Sequence, residues 1–263
     1  MRGTAAVIGL LAFLLAQLSS APVAAQALKP AGTFANWSAV VVAGDFHAHS
    51  GGPTEAFDNA RRDVSKALVE LGFDKAAIRQ FSVRPERYPK DAPSKSEART
   101  IYNALKAQAA TTSAGCLFYI STHGDPEGVI LGQQMLRPPL LATLLDDACP
   151  SRPSVVVISA CFSGVFIPPL QKANRLILTA ARPDRASFGC GEDDKYPYFD
   201  DCFLAAAPSA HDFAALGADV QACVARREKE TGAEPASEPQ VWIGPALRPM
   251  LPLYAFHRKT KLD

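Results

Sequence analysis

Long apolar runs recur along the chain, separated by stretches with helical periodicity. Five segments predict strands: residues 38–43, 78–83, 116–121, 155–159 and 175–180. Most of these segments are continuously apolar rather than alternating, which is typical of strands buried on both faces. They therefore favour a mainly parallel sheet that helices cover on both faces.

Between the predicted strands, apolar residues recur at steps of three and four, as in amphipathic helices. Helices are predicted over residues 53–71, 94–110, 138–148 and 211–231. Ser94 is the predicted N-cap of the second helix, where Glu97 completes a capping box. Short strands are predicted near residues 128–131 and, at a sheet edge, over 240–243. The alternation predicts a three-layer α/β fold, whose active site would lie beyond the carboxyl ends of the strands.

The N-terminal residues have the layout of a secretory signal peptide. Arg2 precedes an apolar run over residues 5–18, and small residues follow up to position 27. That run is shorter than the ~20 residues that span a bilayer. We therefore predict a signal peptide over residues 1–27 and one domain over residues 28–263, exported to the periplasm or secreted. An uncleaved N-terminal anchor is the alternative; after cleavage, no stable membrane span is predicted.

Charge and cysteine content narrow the function classes. The formal net charge is +1, from 27 basic and 26 acidic residues, so nothing indicates binding to nucleic acid or to an anionic membrane. Export favours disulfides among the six cysteines. A bridge between Cys190 and Cys202, which flank a short loop, is the first expectation, and a bridge from Cys149 to Cys116 or Cys223 is the second. If Cys161 is a free nucleophile, at least one other cysteine is free as well.

Two strands end in reactive residues. His123 follows the strand over 116–121 and Cys161 follows the strand over 155–159, each with a glycine close behind. If these strands are parallel neighbours, both side chains emerge at one edge of the sheet. A thiolate there can attack a carbonyl while the imidazole moves the proton. The backbone N–H groups of Gly124 and Cys161 are the candidates for stabilising the oxyanion.

Two other chemistries are conceivable at this edge of the sheet. A zinc site would gather His47, His49, His123 and Cys161, but no Cys-x-x-Cys or His-x-x-x-His spacing supports it. A serine hydrolase would need a nucleophile elbow, and the chain has no Gly-x-Ser-x-Gly motif. The cysteine and histidine pair is therefore the preferred hypothesis.

The motifs around these two residues resemble those of the legumain family of cysteine peptidases, peptidase family C13. Ser-Thr-His-Gly-Asp at residues 121–125 and Ser-Ala-Cys-Phe-Ser-Gly at 159–164 are similar to its signatures, which caspases and gingipains share. Residues 39–44 and 178–190 extend the resemblance, which covers roughly residues 38–206. It implies a caspase-like fold for a single catalytic domain, with no metal and no organic cofactor. It also implies Cys161 as nucleophile, His123 as general acid and base, and a peptide or protein substrate.

The resemblance further implies a substrate pocket. Arg61 (or Arg62), Ser187 and Asp201 occupy positions similar to the basic, hydroxyl and acidic residues of the family's pocket, and Ser159 stands two residues before the nucleophile. In this family a polar residue orients the imidazole, here one near Asp58 or Asn59.

Two departures limit how far the resemblance extends. Legumains carry an acidic residue at the position of Ser159 and an aspartate at that of Thr122, so a preference for cleavage after Asn does not follow. A transpeptidase or ligase outcome stays open, as does a non-catalytic peptide-binding or scaffold module of the same fold. The oligomeric state is not readable from the sequence.

Overall fold

The computed structural model describes residues 33–112 and 114–257. The predicted signal peptide, residues 1–27, lies outside the described residues. Within them the chain alternates strands and helices. The strands are β1 (Trp37–Ala43), β2 (Ile78–Ser82), β3 (Ser94–Lys95), β4 (Gly115–Ser121), β5 (Gly124–Asp125), β6 (Gly128–Leu131), β7 (Gln134–Leu136), β8 (Ser154–Ser159), β9 (Arg175–Thr179) and β10 (Gln240–Ile243). The α-helices are α1 (Ala56–Glu70), α2 (Ala98–Thr111), α3 (Pro138–Ala148), α4 (Ile167–Leu170), α5 (Tyr198–Ala206) and α6 (Phe213–Thr231).

Seven of the strands form one twisted central sheet in the order β10-β9-β8-β4-β1-β2-β3. All neighbouring pairs are parallel except β10, which runs antiparallel to β9. The chain extends the sheet from β1 to β3 on one side and from β4 to β10 on the other. The strand order therefore reverses between β1 and β4, where sheets of this kind leave a crevice for a ligand. Strands β5, β6 and β7 form a separate small antiparallel sheet.

The continuously apolar strands are explained by two cores, one on each face of the sheet. Alternate residues of one strand contribute to different cores: Val41 lies with α1, α5 and α6, whereas Val42 lies with α2 and α3. Leu117 and Phe118 of β4 divide in the same way. Because both faces of these strands are buried, most of their positions are apolar. The predicted three-layer α/β fold is confirmed.

Most predicted elements are present with bounds that differ by a few residues, and two details differ. Ser94, the predicted N-cap, lies in β3, and α2 begins later with Glu97 as its N-cap residue. The short edge strand pairs Ser94 and Lys95 with the end of β2, so the backbone that the capping box would use is in the sheet instead. Helices α4 and α5 and strands β3, β5 and β7 are not among the predicted elements.

The structure has two disulfides, one on the side of the sheet that α3 covers and the other between α5 and α6 on the opposite side. Cys116 at the start of β4 is bonded to Cys149 at the end of α3, and Cys202 of α5 is bonded to Cys223 of α6. The predicted bridge between Cys190 and Cys202 is therefore wrong. Cys202 is buried against α6, whereas Cys190 lies in the irregular segment before α5 and is free.

None of the helices in the ranges 33–112 and 114–257 is long and apolar enough to cross a bilayer.

Candidate active site

The register of the sheet places the ends of β4 and β8 side by side. Ser121, the last residue of β4, is paired with Ser159, the last residue of β8. His123 and Cys161 each follow two residues later, so both leave the sheet at its carboxyl edge next to the crevice between β1 and β4. Both side chains are partly exposed.

The segment after β4 lies directly against the segment after β8. A Cβ atom on Gly124 would be 2.4 Å from the carbonyl oxygen of Cys161 and 3.1 Å from the Cβ of Ala160. Only glycine leaves room for two backbones at this distance. This contact brings the backbone next to His123 onto the backbone of Cys161. The sulfur and the imidazole are not hydrogen-bonded to each other in this structure.

The imidazole of His123 is oriented by a backbone carbonyl. Its Nε2 lies 2.8 Å from the carbonyl oxygen of His47. Because a carbonyl can only accept, Nε2 carries the hydrogen and Nδ1 is the nitrogen with a free lone pair. The ring of Phe57, on α1, packs edge-on against the imidazole with 5.0 Å between ring centroids.

The residues expected to orient the imidazole lie elsewhere. Asp58 is bonded to Arg61 and Ser82 inside the fold, and Asn59 donates to the carbonyl of Lys195. The expectation of a polar side chain near Asp58 or Asn59 is therefore corrected to the His47 carbonyl.

Asp45 fixes the loop that presents this carbonyl. One carboxylate oxygen of Asp45 accepts hydrogen bonds from the backbone N–H groups of Phe46 (2.6 Å) and His47 (3.1 Å). The same oxygen lies 2.8 Å from Nδ1 of His47. The loop after β1 is thus folded around one buried carboxylate, which sets the direction of the His47 carbonyl.

Cys161 lies in a tight turn between β8 and a short 3₁₀ helix, Ser163–Phe166. The next residue, Phe162, has a φ of 55°, which non-glycine residues adopt at a cost of about 1 kcal/mol or more. The N–H of Phe162 donates to the carbonyl of Arg185 at 2.7 Å. Within the described residues the N–H of Cys161 has no acceptor, and it stays available to a ligand.

Ser187 is the predicted pocket residue that lies next to the sulfur. Its backbone N–H is 3.3 Å from Sγ of Cys161, its carbonyl oxygen 3.5 Å and its hydroxyl 3.6 Å. An N–H group that donates to sulfur stabilises negative charge on it.

The other predicted pocket residues are not brought to the sulfur. Arg61 has no exposed surface and contacts Asp58 and Gln80 between α1 and β2, which leaves nothing for a substrate to touch. Ser159 is buried and donates to Asp200. Asp201 is partly exposed and is paired with Arg227 of α6.

Asp200, rather than its neighbour Asp201, faces the sheet. Its carboxylate has no exposed surface and accepts hydrogen bonds from Tyr119, Ser121 and Ser159. Burial raises the pKa of Asp200 to about 6, although these hydrogen bonds oppose the rise. The sequence carries a signal for this residue, because Asp200 and Phe203 are three apart and therefore share one face of a short helix.

A shallow groove of about 310 Å³ runs beside the imidazole. It is lined by Ala48, His49, His123, Gly124, Asp125 and Ile130. At the same edge, the loop after β1 is tied to the segment before α5, because Ser50 donates to Glu192 at 2.6 Å and Thr54 donates to the carbonyl of Gly191 at 2.9 Å. No group of three or more His, Cys, Asp or Glu side chains that could hold a metal ion occurs in the part of the chain that the structure describes.

Comparison with known proteins agrees with this geometry. A solved structure of caspase-1 from Spodoptera frugiperda is similar, with a TM-score of 0.56 and 18% identity, over 80% of this chain and 87% of that chain. At that identity the likeness shows the fold. No curated protein matches the sequence. Residues 95–231, just over half of the chain and including both His123 and Cys161, match the model of the Peptidase C13 family. The chain therefore belongs to the peptidase C13 family, and family and fold together indicate a cysteine-type peptidase.

Proposed function

We propose that the protein is an exported endopeptidase that hydrolyses peptide bonds through a thioester on Cys161, with His123 as general acid and base. The observation that carries the proposal is the contact of Gly124 with the Cys161 carbonyl at two strand ends that are in register. That contact keeps a histidine and a free cysteine together at the open edge of the sheet. Membership of the peptidase C13 family supports a peptide or protein as the substrate.

The first half of the reaction forms the thioester. Nδ1 of His123 takes the proton of the thiol, and Sγ of Cys161 attacks the peptide carbonyl carbon. The negative charge that develops on the carbonyl oxygen is stabilised by the N–H of Cys161, which has no acceptor among the described residues, and by the N–H of Gly124. When the C–N bond breaks, the imidazolium returns its proton to the leaving amine.

The second half regenerates the enzyme. Water attacks the thioester carbon while Nδ1 of His123 accepts a proton from it, the C–S bond breaks, and the carboxylic acid product leaves. The His47 carbonyl holds the ring throughout, because Nε2–H donates to it in both protonation states of the imidazole. The backbone N–H of Ser187 stabilises the thiolate leaving group.

The two disulfides support an oxidising compartment, where such bonds persist. This agrees with the predicted signal peptide, and we propose the periplasm or the extracellular space as the location.

The chain offers a matched control for the nucleophile, because Cys190 is the other free cysteine of the described residues. Burial raises the pKa of its thiol to about 11, so Cys190 stays protonated and unreactive at neutral pH. We expect Cys161→Ala to lower cleavage of a peptide library at least about 10³-fold. We expect Cys190→Ala to cleave like the wild type.

The same pair of variants is read with a thiol-directed electrophile and mass spectrometry. The label is expected on the peptide that contains Cys161 in the wild type and in Cys190→Ala, and to be absent from that position in Cys161→Ala. The proposal would be contradicted if folded Cys161→Ala cleaved peptides at the wild-type rate. It would also be contradicted if the label were found on Cys190 and were lost in Cys190→Ala.

A further inference from the structure

A single buried carboxylate links the two strands that carry the proposed dyad. Oδ2 of Asp200 accepts the hydroxyl of Ser121 at 2.8 Å and the hydroxyl of Ser159 at 2.7 Å. Ser121 ends β4 two residues before His123, and Ser159 ends β8 two residues before Cys161. One oxygen atom therefore bridges the two strand ends from the side of α5.

The other carboxylate oxygen extends this link along β4. Oδ1 of Asp200 accepts the hydroxyl of Tyr119 at 2.5 Å. Tyr119 and Ser121 are two residues apart on one strand, so their side chains point to the same face of the sheet. All three hydroxyls and the carboxylate are buried. Hydrogen bonds to an ionised carboxylate are stronger than those between neutral groups, so three donors on one buried carboxylate fix its position and orientation.

We infer that Asp200 is a positioning residue, whose carboxylate holds the ends of β4 and β8 at the separation that the reaction between Cys161 and His123 requires. The inference rests on the proposed function, because only a reaction between those two groups makes their separation matter. A misplacement of about 1 Å at a reacting centre lowers a rate roughly 10²-fold. Asp200 touches neither the sulfur nor the imidazole, so it acts through the backbone.

Helix α5 is itself fixed in place from its outer side. Cys202, two residues after Asp200, is bonded to Cys223 of α6. Asp201 forms an ion pair with Arg227, also of α6. Asp200 is therefore held between a rigid pair of helices and the two strand ends.

The link depends on the charge of the carboxylate. An ionised carboxylate accepts all three hydroxyls, whereas a protonated one must donate from one oxygen, so that at least one hydroxyl loses its acceptor. Burial raises the pKa of Asp200 to about 6. The rate of acylation is therefore expected to fall as the pH is lowered through about 6.

The neighbouring phenol stays protonated, and the charged side chains on the adjoining helices are paired. Burial, together with the charge of Asp200, raises the pKa of Tyr119 well above its usual value, so the phenol stays protonated. On α1, Arg62 and Asp63 pair with each other, and on α6, Arg227 pairs with Asp201.

Activity and stability respond to this proton in opposite directions. The folded protein holds the Asp200 proton up to a higher pH than the unfolded chain does. This group therefore stabilises the fold at low pH and loses that contribution as the pH rises through about 6. Loss of activity on acidification through this range is then not loss of the fold at Asp200.

The test compares kcat, KM and their pH profiles in four proteins. Asp200→Asn keeps the shape but offers one acceptor oxygen instead of two. We expect its kcat to fall 10- to 100-fold with KM changed less than about threefold. The acid limb of its pH profile, the part where activity falls on acidification through about 6, is expected to become shallower, because the proton of Asp200 no longer contributes to it. Tyr119→Phe removes one hydrogen bond that lowers the pKa of Asp200, so the limb is expected to move up by about one pH unit. Asp219→Asn, an exposed carboxylate of α6, is the matched control with a wild-type profile.

A turnover-independent measurement separates the inference from the proposed function. The rate at which iodoacetamide alkylates Cys161 is recorded over the same pH range for each protein. If the wild type cleaves no peptide but this rate has the limb, and Tyr119→Phe moves it, the positioning role stands while the proposed function fails. If the wild type is a peptidase but folded Asp200→Asn keeps its kcat and its limb, the positioning role is overturned. If Asp200→Asn does not fold, Tyr119→Phe decides: an acid limb at the same pH as in the wild type overturns the positioning role.

Discussion

Gly124 is the residue through which the two strand ends touch. Its backbone lies so close to the Cys161 carbonyl that a Cβ atom would stand 2.4 Å from the oxygen. Both sides of this contact are backbone, so neither can rotate away as a side chain would. Any larger residue must separate the segment after β4 from the segment after β8.

We therefore expect Gly124→Ala to lower kcat about 10- to 100-fold, because the imidazole and the sulfur move apart. Gly232→Ala is the control. Gly232 ends α6 with a φ of 66° and nothing within 4 Å of an added Cβ, so only backbone strain is introduced. That variant is expected to lose about 1 kcal/mol of stability and to keep its activity. Peptide cleavage assays and urea unfolding curves of both variants check the contrast, and a Gly124→Ala enzyme with wild-type kcat would refute it.

At the scale of single residues, the sequence predicts the side chains that react but not the groups that orient them. His123 and Cys161 stand out because each follows an apolar strand and precedes a glycine. The sequence gives no sign of the His47 carbonyl, because every residue has a backbone carbonyl whatever its side chain. Asp200 is not among the predicted site residues, because its spacing from Phe203 is informative only if residues 198–206 form a helix, which the sequence pattern does not predict.

At the scale of single elements, α1 contains a buried ion pair whose two side chains also form hydrogen bonds to β2. Nε of Arg61 donates to Asp58 at 2.9 Å, and the two side chains are 0% and 1% exposed. Arg61 also reaches Gln80 of β2, and Ser82 donates to Asp58 at 3.1 Å. Burial raises the pKa of Asp58, and the charge of Arg61 opposes that rise.

Removing one partner of a buried pair leaves the other charge without compensation. We expect Arg61→Ala to lower the free energy of unfolding by about 3–5 kcal/mol. Arg62→Ala removes a neighbouring arginine whose side chain is 31% exposed and paired with Asp63, and it is expected to cost less than about 1 kcal/mol. Urea unfolding followed by circular dichroism measures both variants. Equal losses would show that burial of the Arg61 pair does not decide its contribution.

Elements were predictable where the pattern was long and uniform. Strands β1, β4, β8 and β9 are continuously apolar because both faces are covered, and their order along the chain was clear. Strands β5 and β7 have two and three residues, too few to show a period. The site is built where these short elements and the loops meet the long strands. The sequence therefore indicated the edge of the sheet but not its detailed shape.

At the scale of the whole molecule, one disulfide fastens α3 to the sheet and the other joins two helices to each other. The bridge between Cys116 and Cys149 lies at the amino end of β4, at the opposite edge from His123. The bridge between Cys202 and Cys223 joins α5 to α6, two residues from Asp200. Their connectivity was not readable from the sequence, because it depends on which faces of α3, α5 and α6 meet.

The two bridges close loops of similar size, 33 and 21 residues in sequence separation, so each is expected to contribute about 3–4 kcal/mol to stability. Replacing either pair with alanines should therefore lower the urea midpoint to a similar extent. Their effects on catalysis should differ, because loosening α5 frees Asp200 from the strand ends, whereas loosening α3 leaves that contact intact. We expect the double variant Cys202→Ala with Cys223→Ala to lose kcat several-fold at a temperature where it is fully folded. The double variant Cys116→Ala with Cys149→Ala should keep its kcat under the same conditions. Equal kcat in the two folded variants would mean that the disulfide between α5 and α6 does not influence catalysis through Asp200. Both bridges would then affect function only through stability.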